Sequence, residues 1–265
     1  MRRIAVKVEY DGTDFVGWQL QAVGRSVQGV MEEAVRKATG AADRVVVQGA
    51  GRTDAGVHAE GQVAHFDTEC DLEPDVIVRA LNYWLPRDVS VLAARQVAAD
   101  FNARFSATLK LYRYRVLCCR ERRPLTQRYC LREPCPLDLS AMQECASLVL
   151  GAHDFASFTT EKQETQDTVR TVRCSEWTRA GDEPATAGEL HYHVAANGFL
   201  YNMVRALVGT MLQAGRGKLT PDEFRQILHA HDRRAAGPTA PPQGLALVDV
   251  RFGESCDLFG PQPKL

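Results

Sequence analysis

The sequence predicts an α+β protein made of two similar layered lobes. Segments with the two-residue period of a strand alternate with single segments of helical period, and this mixture occurs in both halves of the chain. The change from one half to the other falls near residues 105–109. We therefore predict an N-terminal lobe at residues 1–107, a C-terminal lobe at 108–258 and a tail at 259–265.

The first lobe opens with a clear strand signal. Apolar and polar side chains alternate over residues 3–10, up to the turn pair Asp11-Gly12. A helix follows, because Ser26 can cap its start and Gly40 can end it around apolar residues at helical spacing. The remaining predicted elements of this lobe are strands at 45–47, 62–66 and 89–97 and a helix from Pro74 to Pro86.

The second lobe repeats these signals. Thr220 and Glu223 form a capping box with Pro221 at the first helical position. Residues 181–188 are rich in Gly and Pro and predict a loop between two strands. The other predicted elements are strands at 109–118, 169–177, 190–196 and 245–252 and helices at 140–150 and 200–213.

Composition limits the classes of protein that fit. The 265 residues include 32 basic and 33 acidic ones, a net charge of -1, so any nucleic-acid surface has to be local. Lys7 interrupts the apolar core that a signal peptide would need, and no run of 18 apolar residues occurs. The cytoplasm is the predicted compartment. The eight cysteines contain no Cys-x-x-Cys pair, which favours reduced thiols over a zinc site.

Residues 49–61 form the most specific segment. Four glycines there surround an arginine, an acid and a histidine, namely Arg52, Asp54 and His58. Such glycine density predicts a tightly turned backbone close to a ligand. On local composition alone, Asp54 fits an Asx-turn as well as a catalytic site. A phosphate-binding loop is disfavoured because Gly-x-x-x-x-Gly-Lys is absent.

The run Gly51-Arg52-Thr53-Asp54-Ala55-Gly56-Val57-His58 resembles the catalytic motif of TruA-type tRNA pseudouridine synthases. Similar blocks span nearly the whole chain in the family's order, which makes a chance match implausible. These blocks are residues 10–13, 17–19, 26–28, 61–66, 103–108, 199–205 and 240–245.

The resemblance implies an isomerase that converts uridine to pseudouridine at positions 38–40 of the tRNA anticodon stem-loop, without cofactor or metal. Asp54 would be the essential carboxylate, acting either as nucleophile or as base. Arg205 would pair with it, and Tyr112 would stack on the target base. The implied fold has two ferredoxin-like lobes sharing a continuous, mainly antiparallel sheet, with the active-site cleft between them. The implied assembly is a homodimer that binds tRNA.

The pattern of residues alone also allows other roles for some of these side chains. Arg205 also fits a surface position on a helix, and Tyr112 also fits a core aromatic. Glu60 and Asp67 are near Asp54 in sequence, as the second acid of a glycoside hydrolase would be, but we assign them solvated or structural roles. A non-catalytic RNA-binding module is disfavoured because the acid, the arginine and the tyrosine are all present.

The substrate contacts are predicted from positive charge. Arg52 would hold the flipped nucleotide, His58 lies in the same loop, and Lys110 precedes the tyrosine motif. The family often has two basic residues before that tyrosine, where this chain has Lys110-Leu111, so we expect one phosphate contact fewer. A basic run predicts a phosphate-binding surface, and its members are Arg104, Lys110, Arg113, Arg115, Arg120, Arg122, Arg123 and Arg128.

Overall fold

The computed structural model describes residues 1–160, 167–180, 188–253 and 258–259. Within those ranges the chain forms ten strands and five α-helices. The strands are β1 (Arg2–Tyr10), β2 (Gln48–Gly49), β3 (His58–Thr68), β4 (Val89–Val97), β5 (Leu109–Cys118), β6 (Leu131–Glu133), β7 (Gly151–Asp154), β8 (Val169–Arg179), β9 (Glu189–Ala196) and β10 (Leu245–Arg251). The helices are α1 (Val27–Thr39), α2 (Pro74–Trp84), α3 (Leu139–Ser147), α4 (Met203–Gly215) and α5 (Pro221–Ala230).

The strands belong to one mainly antiparallel sheet. Its order is β4-β1-β3-β10-β5-β9-β8-β7, with β2 added beside β3 and β6 beside β5. The β5–β6 pair is parallel, whereas the β1–β3, β1–β4, β7–β8 and β8–β9 pairs are antiparallel. The predicted α+β class is confirmed. Most of the predicted loop at 181–188 and most of the tail lie outside the described residues.

The chain divides into two compact units, one of Met1–Lys110 together with the chain from Leu247 onward, the other of Leu111–Ala246. The lobe bounds predicted from the sequence, 1–107 and 108–258, stay predictions. The last strand, however, groups largely with the first unit rather than with the second half of the chain. No helix in the described ranges is long and apolar enough to cross a membrane.

The first unit follows its sequence signals closely. Ile4, Val6 and Val8 are fully buried on one face of β1. Ser26 caps α1 by accepting a hydrogen bond from the Gly29 amide at 3.2 Å, and Gly40 ends that helix with φ of 69°. Helices α1 and α2 pack against each other. The predicted alternation and both caps are therefore confirmed.

The predicted strand at 45–47 is wrong, because the backbone there bonds to a side chain instead of a neighbouring strand. The Val47 amide donates to Oε1 of Glu32, on α1, at 3.2 Å. Arg44 holds the same carboxylate through a 2.7 Å bond to Oε2. Pairing with β3 starts only at Gln48, in the two-residue strand β2.

The second unit differs from prediction mainly at one helix start. Helix α4 begins at Met203 rather than near residue 200, because Asn202 adopts a left-handed conformation with φ of 61°. The capping box of α5 is confirmed, since Thr220 Oγ1 accepts from the Glu223 amide and Glu223 Oε2 accepts from the Thr220 amide. The short strands β6 and β7 were not predicted, because three or four residues carry little periodicity.

Candidate active site

Asp54 lies in the loop between β2 and β3, which we call the aspartate loop (residues 50–57). The Asp54 side chain belongs to a half-buried residue, between buried Thr53 and exposed Ala55. Its backbone carbonyl accepts a 3.1 Å hydrogen bond from the Val57 amide. Gly56, with φ of 77°, completes that turn in the left-handed region. The glycine-rich segment therefore forms the tightly turned loop that the sequence predicts.

Residues 12–18 hold the aspartate loop from one side. The Trp18 amide donates to the Thr53 carbonyl at 3.0 Å, and the Gly56 amide donates to the Phe15 carbonyl at 3.3 Å. Backbone bonds thus fix the residue before Asp54 and the second residue after it. A carboxylate held this way loses little further conformational freedom when a substrate binds, which favours catalysis.

Two glycines make this close approach possible. A Cβ on Gly17 would lie 2.6 Å from the Thr53 carbonyl oxygen, and Gly17 has φ of 112°. A Cβ on Gly12 would lie 2.0 Å from the Val57 carbonyl oxygen. Any other residue at either position has to displace the aspartate loop. Both glycines belong to sequence blocks that we matched to the family, but their spacing does not reveal the docking.

Buried side chains fix the same loop from within the first unit. The hydroxyl groups of Tyr10 and Thr53 are 2.8 Å apart and form a buried hydrogen bond. Gln62, fully buried on β3, donates from Nε2 to the Gly51 carbonyl at 2.9 Å. Sequence reasoning missed Tyr10, Thr53 and Gln62 as positioning residues, because each also fits an ordinary core role.

Replacing Tyr10 with Phe tests this positioning. The change leaves the buried Thr53 hydroxyl without its partner, so we expect a loss of about 1–3 kcal/mol of stability and a lower turnover number. Tyr192→Phe is the matched control, because Tyr192 is equally buried and its hydroxyl lies 2.8 Å from that of Ser175 in the second unit. It should lose similar stability in urea unfolding and keep its turnover number. Equal turnover in the two variants would exclude a positioning role for Tyr10.

His58 lies at the end of the aspartate loop, where β3 begins. Its side chain is largely buried, and Nδ1 accepts a 3.0 Å hydrogen bond from the Gly12 amide. Nδ1 is also 3.2 Å from Oδ1 of Asp11. The Gly12 bond joins the end of the aspartate loop to the residues that follow β1. This contact anchors the loop, and the predicted substrate contact of His58 stays a prediction.

The other basic residues predicted in the first unit are accessible to different degrees. Arg52 is exposed within the aspartate loop, and Arg104 is exposed outside it. Lys110 is half-buried beside Gly51, with its Nζ 3.7 Å from the position that a Cβ on this glycine would take. Arg52 therefore lies in the aspartate loop with Asp54, and Lys110 lies beside that loop.

Arg205 is tied into the second unit at the first turn of α4. Its Nε donates to the Ala240 carbonyl and its Nη1 donates to Oδ1 of Asn202, both at 2.8 Å. The Ala240 amide in turn donates to the Arg205 carbonyl at 2.9 Å. The two sequence blocks at 199–205 and 240–245 are thus joined in space, and the left-handed Asn202 supports the guanidinium.

Tyr112 has only 7% of its surface exposed and packs edge-to-face on Phe199, with ring centroids 5.0 Å apart. Tyr114, fully buried, donates to the Pro241 carbonyl at 2.8 Å. A Cβ on Gly244 would lie 2.7 Å from the Tyr114 ring. The tyrosine strand is therefore packed against the 240–245 block, and the stacking role of Tyr112 remains a prediction.

One member of the predicted phosphate-binding run has a different role. Arg115 donates through Nε to Oε1 of Glu189 at 2.5 Å, and His191 contacts the same oxygen at 2.8 Å. Burial raises the pKa of Glu189, but the hydrogen bonds from His191 and Arg115 outweigh it and hold that pKa at about 2. Arg115 is thus a structural ion-pair residue. The exposed members of the run are Arg104, Arg120, Arg122, Arg123 and Arg128.

Asp67 has the structural role that the sequence predicted. It forms a two-bond ion pair with Arg3, with distances of 2.8 and 2.7 Å, and this arginine lowers its pKa. The seven cysteines within the described ranges are free thiols. In the same ranges no group of three or more His, Cys, Asp or Glu side chains is placed to hold a metal ion.

His65 links β2 and β3 to the segment that carries Arg104. Its Nδ1 accepts from the Ala103 amide at 3.2 Å, and the Gln48 backbone forms a further hydrogen bond with the ring. Burial, followed by the charge of Arg3, lowers the pKa of His65. The folded protein therefore favours the neutral ring that these bonds require.

A pH dependence of stability follows from this histidine. The unfolded chain binds a proton at the ordinary histidine pKa of about 6.5, whereas folded His65 binds it only at lower pH. Unfolding is therefore favoured increasingly as pH falls through 6.5, and this contribution is absent above it. Urea unfolding of the wild type between pH 8 and 5 should show this loss, and His65→Asn should show a shallower one. If stability depends on pH identically in the wild type and in His65→Asn, this loss does not come from His65.

The family model described as tRNA pseudouridine synthase matches residues 6–106 and 145–253. This chain belongs to the tRNA pseudouridine synthase family. The protein named tRNA pseudouridine synthase A of Halalkalibacterium halodurans is 47% identical over 246 residues, which cover 92% of this chain and 90% of that protein. The tRNA pseudouridine synthase A of Geobacillus kaustophilus is 44% identical over 96% of both chains. That of Paramagnetospirillum magneticum is 43% identical over 98% of this chain and 99% of its own.

The two ranges matched by the tRNA pseudouridine synthase model include the aspartate loop and Arg205. Lys110, Tyr112 and the exposed arginines of residues 120–128 fall between those ranges. The relatives nevertheless align over more than nine-tenths of this chain. A tRNA pseudouridine synthase is an isomerase, and that enzyme class applies to this chain as a member of the family.

Proposed function

We propose that this protein converts uridine to pseudouridine at positions 38–40 in the anticodon stem-loop of tRNA, with Asp54 as the essential carboxylate and without a cofactor. Family membership supports the tRNA substrate and the reaction. The observation that carries the role of Asp54 is the docking of the aspartate loop, in which glycine contacts and backbone bonds fix the residues on both sides of it. The cytoplasm remains the predicted compartment.

The reaction is an isomerisation in which every atom of the base is accounted for. The bond from N1 of uracil to C1′ breaks, the base turns, and a bond from C5 to C1′ forms. The hydrogen on C5 leaves as a proton, and N1 gains one. Asp54 either attacks C1′ or removes a ribose proton, and both routes need an ionised carboxylate in a fixed position.

The other site residues are proposed to serve that carboxylate and its substrate. Arg205 pairs with Asp54 and keeps it ionised, as an adjacent guanidinium does. The anchoring of Arg205 by Ala240 and Asn202 supports this role, since it restricts the guanidinium. Tyr112 stacks on the target uracil. The implied site is a cleft between two ferredoxin-like lobes.

The remaining contacts are proposed to be electrostatic. Arg52 holds the flipped nucleotide, and Lys110 and Arg104 contact phosphates, with His58 close to the nucleotide at the end of the aspartate loop. The exposed arginines of residues 120–128 extend this surface, because exposed arginine side chains can neutralise the phosphates of an RNA backbone. We also propose a homodimer, as in the family that the sequence resembles.

Incubation with tRNA that carries tritium at C5 of uracil tests the proposal. Release of tritium into water, with pseudouridine in the nuclease digest at positions 38–40, is the expected result. Free uracil in the digest would indicate a hydrolase instead. Binding of the tRNA without release of either product would indicate an RNA-binding protein, and pseudouridine at other positions would overturn the proposed target.

A further inference from the structure

Phe105 is an aromatic side chain presented to solvent. It is 79% exposed, and the guanidinium of its neighbour Arg104 lies 5.5 Å from the centre of its ring. A single exposed apolar residue is common on protein surfaces. Here the exposed ring adjoins a cation, and an aromatic ring beside a cation can bind a nucleobase and a phosphate together.

The short loop that carries Phe105 (residues 102–106) is built from internal hydrogen bonds. Oδ1 of Asn102 accepts from the amides of Arg104 and Phe105 at 3.0 and 3.2 Å. Oγ of Ser106 accepts from the Asn102 amide at 3.1 Å, and the Ser106 amide donates to the Asn102 carbonyl at 2.8 Å. These bonds hold the loop in one conformation and leave the side chains of Arg104 and Phe105 exposed to solvent.

The same loop is fastened to the strand that leads into the aspartate loop. The Ala103 amide donates to His65, which is also bonded to the Gln48 backbone. Nδ2 of Asn102 donates to Oε1 of Gln48 at 3.4 Å. Gln48 opens β2, and the aspartate loop begins at the residue after this strand. Phe105 is therefore fixed in the same unit as Asp54, through few intermediate contacts.

We propose that Phe105 is a stacking platform for an unpaired nucleobase of the RNA substrate, with Arg104 contacting an adjoining phosphate. This inference rests on the proposed function, since it names a further substrate contact of that site. A rigid aromatic platform loses little conformational entropy on binding and accepts any base, because every base has a π-face. The role differs from that of Tyr112, which is almost fully buried.

Substitution of Phe105 in an Asp54→Asn background isolates binding from turnover. Phe105→Ala should weaken the affinity for an anticodon stem-loop RNA by about tenfold or more, the range that loss of one stacked base gives. Phe105→Trp should restore the affinity and Phe105→Leu should not, because stacking needs a ring. Unchanged affinity in Phe105→Ala, or equal affinity in the Leu and Trp variants, would overturn the proposal.

Tyr83 provides the matched control. It is also an aromatic side chain of the first unit and has the same exposed fraction, 79%, but it packs on Trp84 instead of an arginine. Tyr83→Ala should leave stem-loop affinity within about twofold. A second measurement uses a set of stem-loops, each with 2-aminopurine at one loop position. Wild-type protein should quench the fluorescence at one position or more, and Phe105→Ala should quench it less. No change at any position would count against stacking.

Two further outcomes separate this inference from its alternatives. If Phe105→Ala shifts the sedimentation coefficient and leaves RNA affinity unchanged, the side chain serves a contact between copies of the chain. If wild-type protein makes pseudouridine but Phe105→Ala binds RNA normally, the platform fails while the proposed function stands. If no pseudouridine forms at all, the proposed function fails on its own assay.

Discussion

Asp54→Asn should lower the turnover number by about 10³-fold or more while leaving the fold and tRNA affinity intact. An amide is neither a nucleophile toward C1′ nor a base toward a ribose proton, and positioned acid–base groups alone contribute about 10²–10⁴-fold. The side chain keeps its volume, and the amides of Trp18, Gly56 and Val57 hold the aspartate loop through bonds to backbone carbonyls, which the substitution leaves in place. Single-turnover release of tritium, with tRNA affinity and urea unfolding measured in parallel, checks each part of this expectation.

Asp67→Asn is the control for loss of an acid from the same unit. Asp67 pairs with Arg3, and its side chain is 38% exposed, so the change should cost less than about 1 kcal/mol of stability and leave turnover within a few-fold. If Asp54→Asn retains turnover near the wild-type level, Asp54 is not the essential carboxylate. If both variants lose activity equally, the loss reflects general electrostatics in this unit.

Local rules predicted the parts of the fold that depend on neighbours in sequence. Ser26 and Gly40 bound α1 as expected, because caps are satisfied by residues within one turn. The strand predicted at 45–47 failed for the opposite reason. The Val47 amide has a partner from α1, fifteen residues away, and no local pattern contains that bond.

The candidate site shows the same division. The density of glycines around Asp54 predicted a tight turn, and the structure has one. What the sequence could not predict is that Gly12 and Gly17, about forty residues earlier, meet this turn through their backbones. A glycine at such a position indicates that there is no room for a side chain, but the sequence does not show which residue occupies that room. The support of Arg205 by Asn202, three residues earlier, was also not predicted, because the sequence does not show that this asparagine is left-handed.

Gly17→Ala should therefore reduce kcat/KM by about 100-fold without touching the substrate. The new Cβ would stand 2.6 Å from the Thr53 carbonyl oxygen and 3.2 Å from the carbonyl carbon of Asp54. These are backbone atoms that cannot rotate away, so the aspartate loop has to shift. Displacement of a catalytic group by about 1 Å can cost that factor in rate. Steady-state kinetics on tRNA, at a temperature where the variant is folded, measures it.

Gly40→Ala separates the displacement from backbone strain. Gly40 also has positive φ, 69°, but nothing lies within 4 Å of the position its Cβ would take. Both variants place a Cβ on a residue with positive φ, and only Gly17→Ala meets another segment of backbone. We expect turnover of the Gly40 variant to stay near wild type, because its new Cβ has open space around it. Equal kinetic losses would mean that strain, and not the docking of the aspartate loop on Gly17, accounts for the effect.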